Sequence, residues 1–166
     1  EGERWLPLHG IFRLSDVTEA YSALADALAE RREELASRQV TVSFLTVTSG
    51  DTIVIEPHLF WPDGLHRFHR HHVTDEQLRR YGDLPDRPEL RDLAHALRRE
   101  LGSILYEAGA EHLQIGRHYP FEQDIDPVRV KLLLALKHHV DPKGIMAPDV
   151  LFKKKPNKGV LKGAQL

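Results

Sequence analysis

The chain has 166 residues with a net charge of −2 and 41% apolar residues, enough for one soluble domain with a core. That charge balance implies no broad basic face for nucleic acid. The absence of cysteine excludes disulfides, thiolate metal sites and a cysteine nucleophile. It also fits a cytoplasmic setting. No apolar run reaches the roughly 18 residues of a membrane span. The opening Glu-Gly-Glu-Arg-Trp has no signal-peptide pattern and no starting Met, and reads as a cut into a longer protein.

In chain order, Trp5, Leu6, Leu8, Ile11 and Phe12 form an apolar run around Pro7 and Gly10. This predicts a strand at an edge or with a bulge, because proline cannot donate to a ladder. Asp16 and Glu19 match a capping box. Val17, Tyr21, Leu24, Leu28 and Leu35 then recur at helical spacing, predicting one amphipathic helix over about 16–37. The β-branched runs 40–48 and 52–61 flank Ser49-Gly50-Asp51 and predict a hairpin. Its alternation puts Ile53 and Ile55 on one face, Val54 and Glu56 on the other.

Residues 62–88 are polar and punctuated, as in a functional loop or flap. Thr74 and Gln77 predict a capped short helix there. Leu90, Leu93, Leu97, Leu101, Ile104, Leu105 and Ala108 predict a clean helix, ended by Gly109. Leu113 and Ile115 suggest a last strand. Asp126-Pro127 starts a final helix and Asp141-Pro142 stops it. The Lys-rich tail from Lys153 is expected to be irregular or held by a partner. The first six elements follow the β-α-β-β-α-β order of a ferredoxin-like α+β layer. The expected fold is therefore an antiparallel sheet with helices on one face, then a C-terminal helix and an extended tail.

Eleven histidines invite a search for metal sites. His66, His69, His71 and His72 cluster, but in a loop shared with Arg67 and Arg70, whose charges oppose a cation. No metal site is expected there, and solvated loop histidines are the plainer account. His138 and His139 suit the negative end of the last helix. His9 and His58 lie on strands. The stretch 112–119 is richer in donors: as a strand it carries His112, Gln114 and Gly116 on one face, with Arg117 and Tyr119 at its end. An edge strand facing water and a binding site both fit these residues.

Glu111-His-Leu-Gln-Ile-Gly-Arg-His-Tyr-Pro-Phe121, then a helix, Lys137 and Asp141-Pro-Lys-Gly-Ile-Met-Ala-Pro148, resembles the C-terminal portion of FAD-linked oxidases of the vanillyl-alcohol oxidase type. Trp5-Leu-Pro-Leu-His-Gly10 and Ile55-Glu-Pro-His-Leu-Phe-Trp-Pro-Asp63 resemble the substrate, or cap, domain of such enzymes. The resemblance implies an FAD-dependent oxidoreductase whose cofactor is held mostly by an N-terminal domain absent from this chain. Residues 1–125 would form the cap, and 126–166 the helix and segment returning to the flavin domain. His112, Gln114, Arg117 and Tyr119 would face the substrate, an anionic or phenolic small molecule. Gly144, Ile145, Met146 and Pro148 would lie at the flavin. The chain alone would be inactive. Two features depart from the family: Asp149 stands where Gly is usual, and the hairpin lacks the histidine-rich metal motif of the hydroxy-acid branch. On the residues alone, the rival reading is a ferredoxin-like ligand-binding or regulatory module without catalysis.

Overall fold

The computed structural model describes residues 3–112, 114, 116–119 and 121–152, without the side chains of Gln123 and Asp124. The chain divides into two compact units, Glu1–Leu113 and Gln114–Leu166. The first is an α+β layer built on a four-stranded antiparallel sheet.

β4 (Thr52–Pro62) is the strand on which the sheet is assembled. β1 (Glu3–Pro7) and β2 (Gly10–Arg13) pair with one side of it, and β3 (Thr41–Ser49) with the other. Ile11 bridges Glu111 on the far side of β2. This spatial order, all antiparallel, is that of a ferredoxin-like sheet. The expected last strand at Leu113 and Ile115 lies outside the described residues.

The first strand is one ribbon in a single register, interrupted rather than bulged. Pro7 lies opposite His58 and Gly10 opposite Ile55, so no residue is inserted between them. The interruption comes from Pro57, which has no N–H. Leu8 donates to the Pro57 carbonyl at 3.1 Å, and the return bond cannot form. In an antiparallel strand each residue turns its N–H and C=O to the same side. The gap therefore falls toward β1 and β2, and the β3 ladder runs unbroken past Phe44 opposite Pro57.

β3 and β4 are joined by Gly50 and Asp51, with Gly50 at φ 62°. Glycine at the first central position is what a tight two-residue hairpin loop uses. The period of two is visible in burial: Ile55, Pro57, Leu59 and Trp61 are buried, and their neighbours are not.

The expected helix over 16–37 is two helices, α1 (Val17–Glu30) and α2 (Arg32–Ser37), separated at Arg31. The Asp16–Glu19 capping box does not form; Asp16 instead accepts the Ser15 hydroxyl at 2.6 Å. Arg31 pairs with Glu100 at 2.7 Å and Glu34 at 3.1 Å. Such half-exposed pairs are worth about 0–1 kcal/mol each, so they fix the position of the break more than they stabilise it.

The loop 62–88 carries two short helices, α3 (Arg67–Arg70) and α4 (Asp75–Tyr81). The Thr74–Gln77 box forms as expected, with the Gln77 N–H on Thr74 Oγ1 at 3.2 Å and the Thr74 N–H on Gln77 Oε1 at 2.9 Å. The loop is pinned by Asp63, whose buried carboxylate accepts the Gly64 and Arg87 N–H groups, each at 2.8 Å, and pairs with Arg91 at 2.8 Å. Burial alone would raise this carboxyl; the bonds from Arg91 and Arg87 hold it below the usual range.

α5 (Pro88–Glu107) supplies the largest apolar row, with Leu90, Leu93, Ala94, Leu97, Leu101 and Leu105 buried. They join Leu24 of α1 and Ile55 and Leu59 of β4 in one core. Gly109, at φ 83°, ends α5 as expected. Full burial of a leucine contributes about 1.5–3 kcal/mol, so this row outweighs the surface ion pairs.

The second unit holds α6 (Phe121–Asp124) and α7 (Pro127–Val140). Asp126 caps α7 by accepting the Val128 N–H at 2.8 Å. The tail from 153 onward lies outside the described residues. Among the described residues no helix is long and apolar enough to cross a membrane.

Leu97 is fully buried at the centre of the α5 row. Leu97→Ala is expected to lower unfolding free energy by about 2–5 kcal/mol, read from the urea midpoint at unchanged m-value.

Candidate functional site

The turn after α7 is organised by one carboxylate. Asp141 is only 6% exposed and accepts the Ile145 N–H at 3.0 Å and the Met146 N–H at 2.9 Å. Lys137, one helical turn back, reaches it at 2.6 Å and also bonds the Met146 carbonyl. The Gly144 N–H donates to the Asp141 carbonyl at 3.0 Å, with Gly144 at φ 63°. The sequence explains each part. Proline after Asp141 stops the helix, the side chain of Asp141 takes the amides the helix would have used, and glycine permits the left-handed step. Lys137 first, then the two amides, keep the Asp141 carboxyl below its usual range.

The amides of Ile145 and Met146 thus point inward, and their side chains point out. Ile145 is 73% exposed and Met146 59%. Arg117 joins this turn from the other end of the unit, donating through Nη2 to the Pro148 carbonyl at 2.9 Å. A guanidinium has about five N–H donors, and this bond uses one. Of the eight residues assigned to substrate and flavin, Arg117, Gly144, Ile145, Met146 and Pro148 therefore fall on one stretch of the second unit. Gln114 and Tyr119 belong to that unit as well. His112 belongs to the first unit.

α7 beside this turn has an unusual face distribution. None of its residues is buried, and Val128, Leu132, Leu134, Leu136 and Val140 are exposed. Val128, Leu132, Leu136 and Val140 recur every four residues along one stripe, and Leu134 lies across the helix from it. A helix apolar around its circumference is ordinarily an interior one.

In the first unit, His9 is 2% exposed and lies edge-on to His112, ring centroids 5.9 Å apart. His112 Nδ1 is 3.3 Å from the His9 carbonyl. Burial lowers the His9 pKa, His112 and Arg98 lower it further, and Glu56 opposes them. The pair anchors the chain where it leaves the sheet.

The histidine cluster is turned onto its own backbone. His69 Nδ1 accepts the His66 N–H at 3.2 Å, and His72 Nδ1 lies 2.7 Å from the Phe68 carbonyl with its ring stacked on Phe68. Arg70 ties the loop together through the Leu65 and Gly82 carbonyls at 3.1 and 2.6 Å. Among the described residues no three His, Cys, Asp or Glu side chains gather as a metal-holding group. A shallow hollow of about 180 Å³ lies beside the cluster, lined by Arg4, His69, Gln77 and Tyr81 among others. Arg4 there bonds the Gly64 carbonyl.

Asp63 and Asp141, the two most consequential polar residues, are read in the sequence only as turn and helix-stop residues. The available signal was Asp followed by Gly at one or three positions, where a short acceptor can collect nearby amides. No protein-family model and no curated protein matches the chain.

Two pH effects follow. Neutral His9 is favoured in the fold, whereas an unfolded histidine titrates near 6.5, so the unfolded chain binds more protons below that value. Urea stability is expected to fall as pH drops below 6.5, with a shallower slope in His9→Gln. Asp141 acts in the same direction at lower pH: its stabilisation is present above the ordinary carboxylate value of 3.8 and is lost as pH falls through the lower folded value. Asp141→Ala is expected to raise hydrogen exchange at the Ile145 and Met146 amides by roughly tenfold or more at neutral pH, removing the acid dependence.

Proposed function

We propose that this chain is the C-terminal substrate, or cap, domain of an FAD-dependent oxidoreductase. The observation that carries the reading is the turn 141–148, which is rigidly built yet presents Ile145 and Met146 outward. Asp141 consumes the two amides that an anion would need, so the turn does not suit a pyrophosphate. What it offers is a flat apolar contact, with open space at Gly144. Such an apolar contact suits an isoalloxazine ring, while the phosphates and adenine would be held by an N-terminal domain outside this chain.

When bound, the flavin supplies the hydride acceptor. The residues of this chain bind and orient. Arg117, fixed at the Pro148 carbonyl, keeps donors for an anionic or phenolate substrate and for negative charge developing at the ring. Gln114 and Tyr119 supply neutral hydrogen bonds from the same segment. The exposed apolar surface of α7 supports a neighbouring domain as its cover, since apolar area in water is unfavourable by about 25 cal/mol per Å².

The test is made on the protein with its natural upstream sequence. It is expected to purify with flavin absorbance that bleaches with a hydroxy-acid or phenolic reductant. Chain 1–166 alone should bind FAD weakly or not at all. Ile145→Asp in the complete protein should weaken flavin retention or slow bleaching by roughly tenfold or more. An upstream region without a flavin domain, or tight FAD binding by chain 1–166, would overturn the assignment.

A further inference from the structure

β3 is a strand of nine residues that forms one edge of the sheet among the described residues. Among the described residues it pairs only with β4, through Thr41, Ser43, Leu45, Val47 and Ser49. By the alternation of an antiparallel ladder, Val42, Phe44, Thr46 and Thr48 turn their N–H and C=O groups to the outer edge. Among the described residues no backbone bond is made there. Edge strands in soluble proteins are ordinarily protected by lysine, proline, a bulge or a short length. Here residues 39–50 contain no charge and no proline, and Leu45 and Val47 are about half exposed.

The strand is also complementary to itself. Antiparallel pairing of two copies with full overlap puts the two-fold axis at Leu45. Leu45 then faces its counterpart, Ser43 faces Val47, and Thr41 faces Ser49. Phe44 with Thr46 and Val42 with Thr48 become hydrogen-bonded pairs, giving about eight new backbone bonds. No like charges meet. The first charges beyond the strand have opposite sign, Arg38 before it and Asp51 after it, and this register brings Arg38 of each copy beside Asp51 of the other. Arg38 lies 3.7 Å from Glu34 and is 46% exposed at its side chain, so it is accessible to a second carboxylate.

We propose that two copies of this chain associate through β3, joining their sheets into one continuous antiparallel sheet across a two-fold axis at Leu45. The self-matching of β3, with Arg38 and Asp51 flanking it, selects a second copy over an unrelated strand. The inference stands apart from the flavin assignment, because it uses only the first unit.

The full chain is expected to sediment as a dimer at micromolar concentration. Thr46→Pro deletes an outward N–H without touching the β4 ladder and should weaken the dimer by tenfold or more. Its circular dichroism should stay native. Because the chain has no cysteine, Leu45→Cys can form only an intermolecular disulfide. The facing pair in this register has Cα atoms about 4.5 Å apart, within disulfide range. Rapid cross-linking of Leu45→Cys on mild oxidation is therefore expected, with little from Val42→Cys, which this register does not place opposite itself. A monomer at these concentrations overturns the proposal. So does a dimer that Thr46→Pro leaves intact, or equal cross-linking from both cysteine variants.

Discussion

The two-residue period of β4 is the constraint on which the first unit rests. Each odd position from Ile55 to Trp61 is buried against the helices, and each odd position also turns its backbone toward β1 and β2. The same parity therefore sets both the core and the pairing. A slip of one residue would move Ile55, Leu59 and Trp61 out of the core together. Pro57 is placed so that its missing N–H costs one bond on the β1–β2 side. On an even position it would have broken the β3 ladder, where no second segment could take up the register.

Two buried carboxylates do comparable work in different units. Asp63 closes the end of β4 by gathering the 64 and 87 amides and Arg91. Asp141 closes the end of α7 by gathering the 145 and 146 amides and Lys137. In each case an ionised acceptor holds a segment with no regular ladder of its own. Charge-assisted bonds are about twice as strong as neutral ones, so a single side chain suffices to fix a turn. In the second unit that turn is the surface on which the proposed flavin contact depends.

Much of this was legible in the sequence where a local rule acted alone. The hairpin at Gly50, the α5 leucine row, the Thr74 box, the Gly109 stop and the Asp126-Pro127 start all depend on neighbours within a few positions. The α+β layer itself followed from their order. The break at Arg31 was not legible, because helical spacing continues from Leu28 to Leu35; the contact with Glu100, distant in sequence, marks the break. The Asp16 cap was read from spacing, but Ser15 supplies the competing partner. Pro7 suggested a first strand at an edge or with a bulge, whereas the ribbon keeps one register and is interrupted by Pro57 across the sheet. For the candidate site, the motif located the turn, and only the fold shows that Asp141 takes its amides and that Arg117 is bonded to it.

The exposed leucines of α7 bear on how the molecule comes apart. A segment that hides so little oil-like area from water gains little heat capacity or denaturant sensitivity when it melts. Calorimetry of the chain by itself should thus register the sheet and α5 almost exclusively. The helix can loosen beforehand without leaving a separate peak, and limited proteolysis would cut there first.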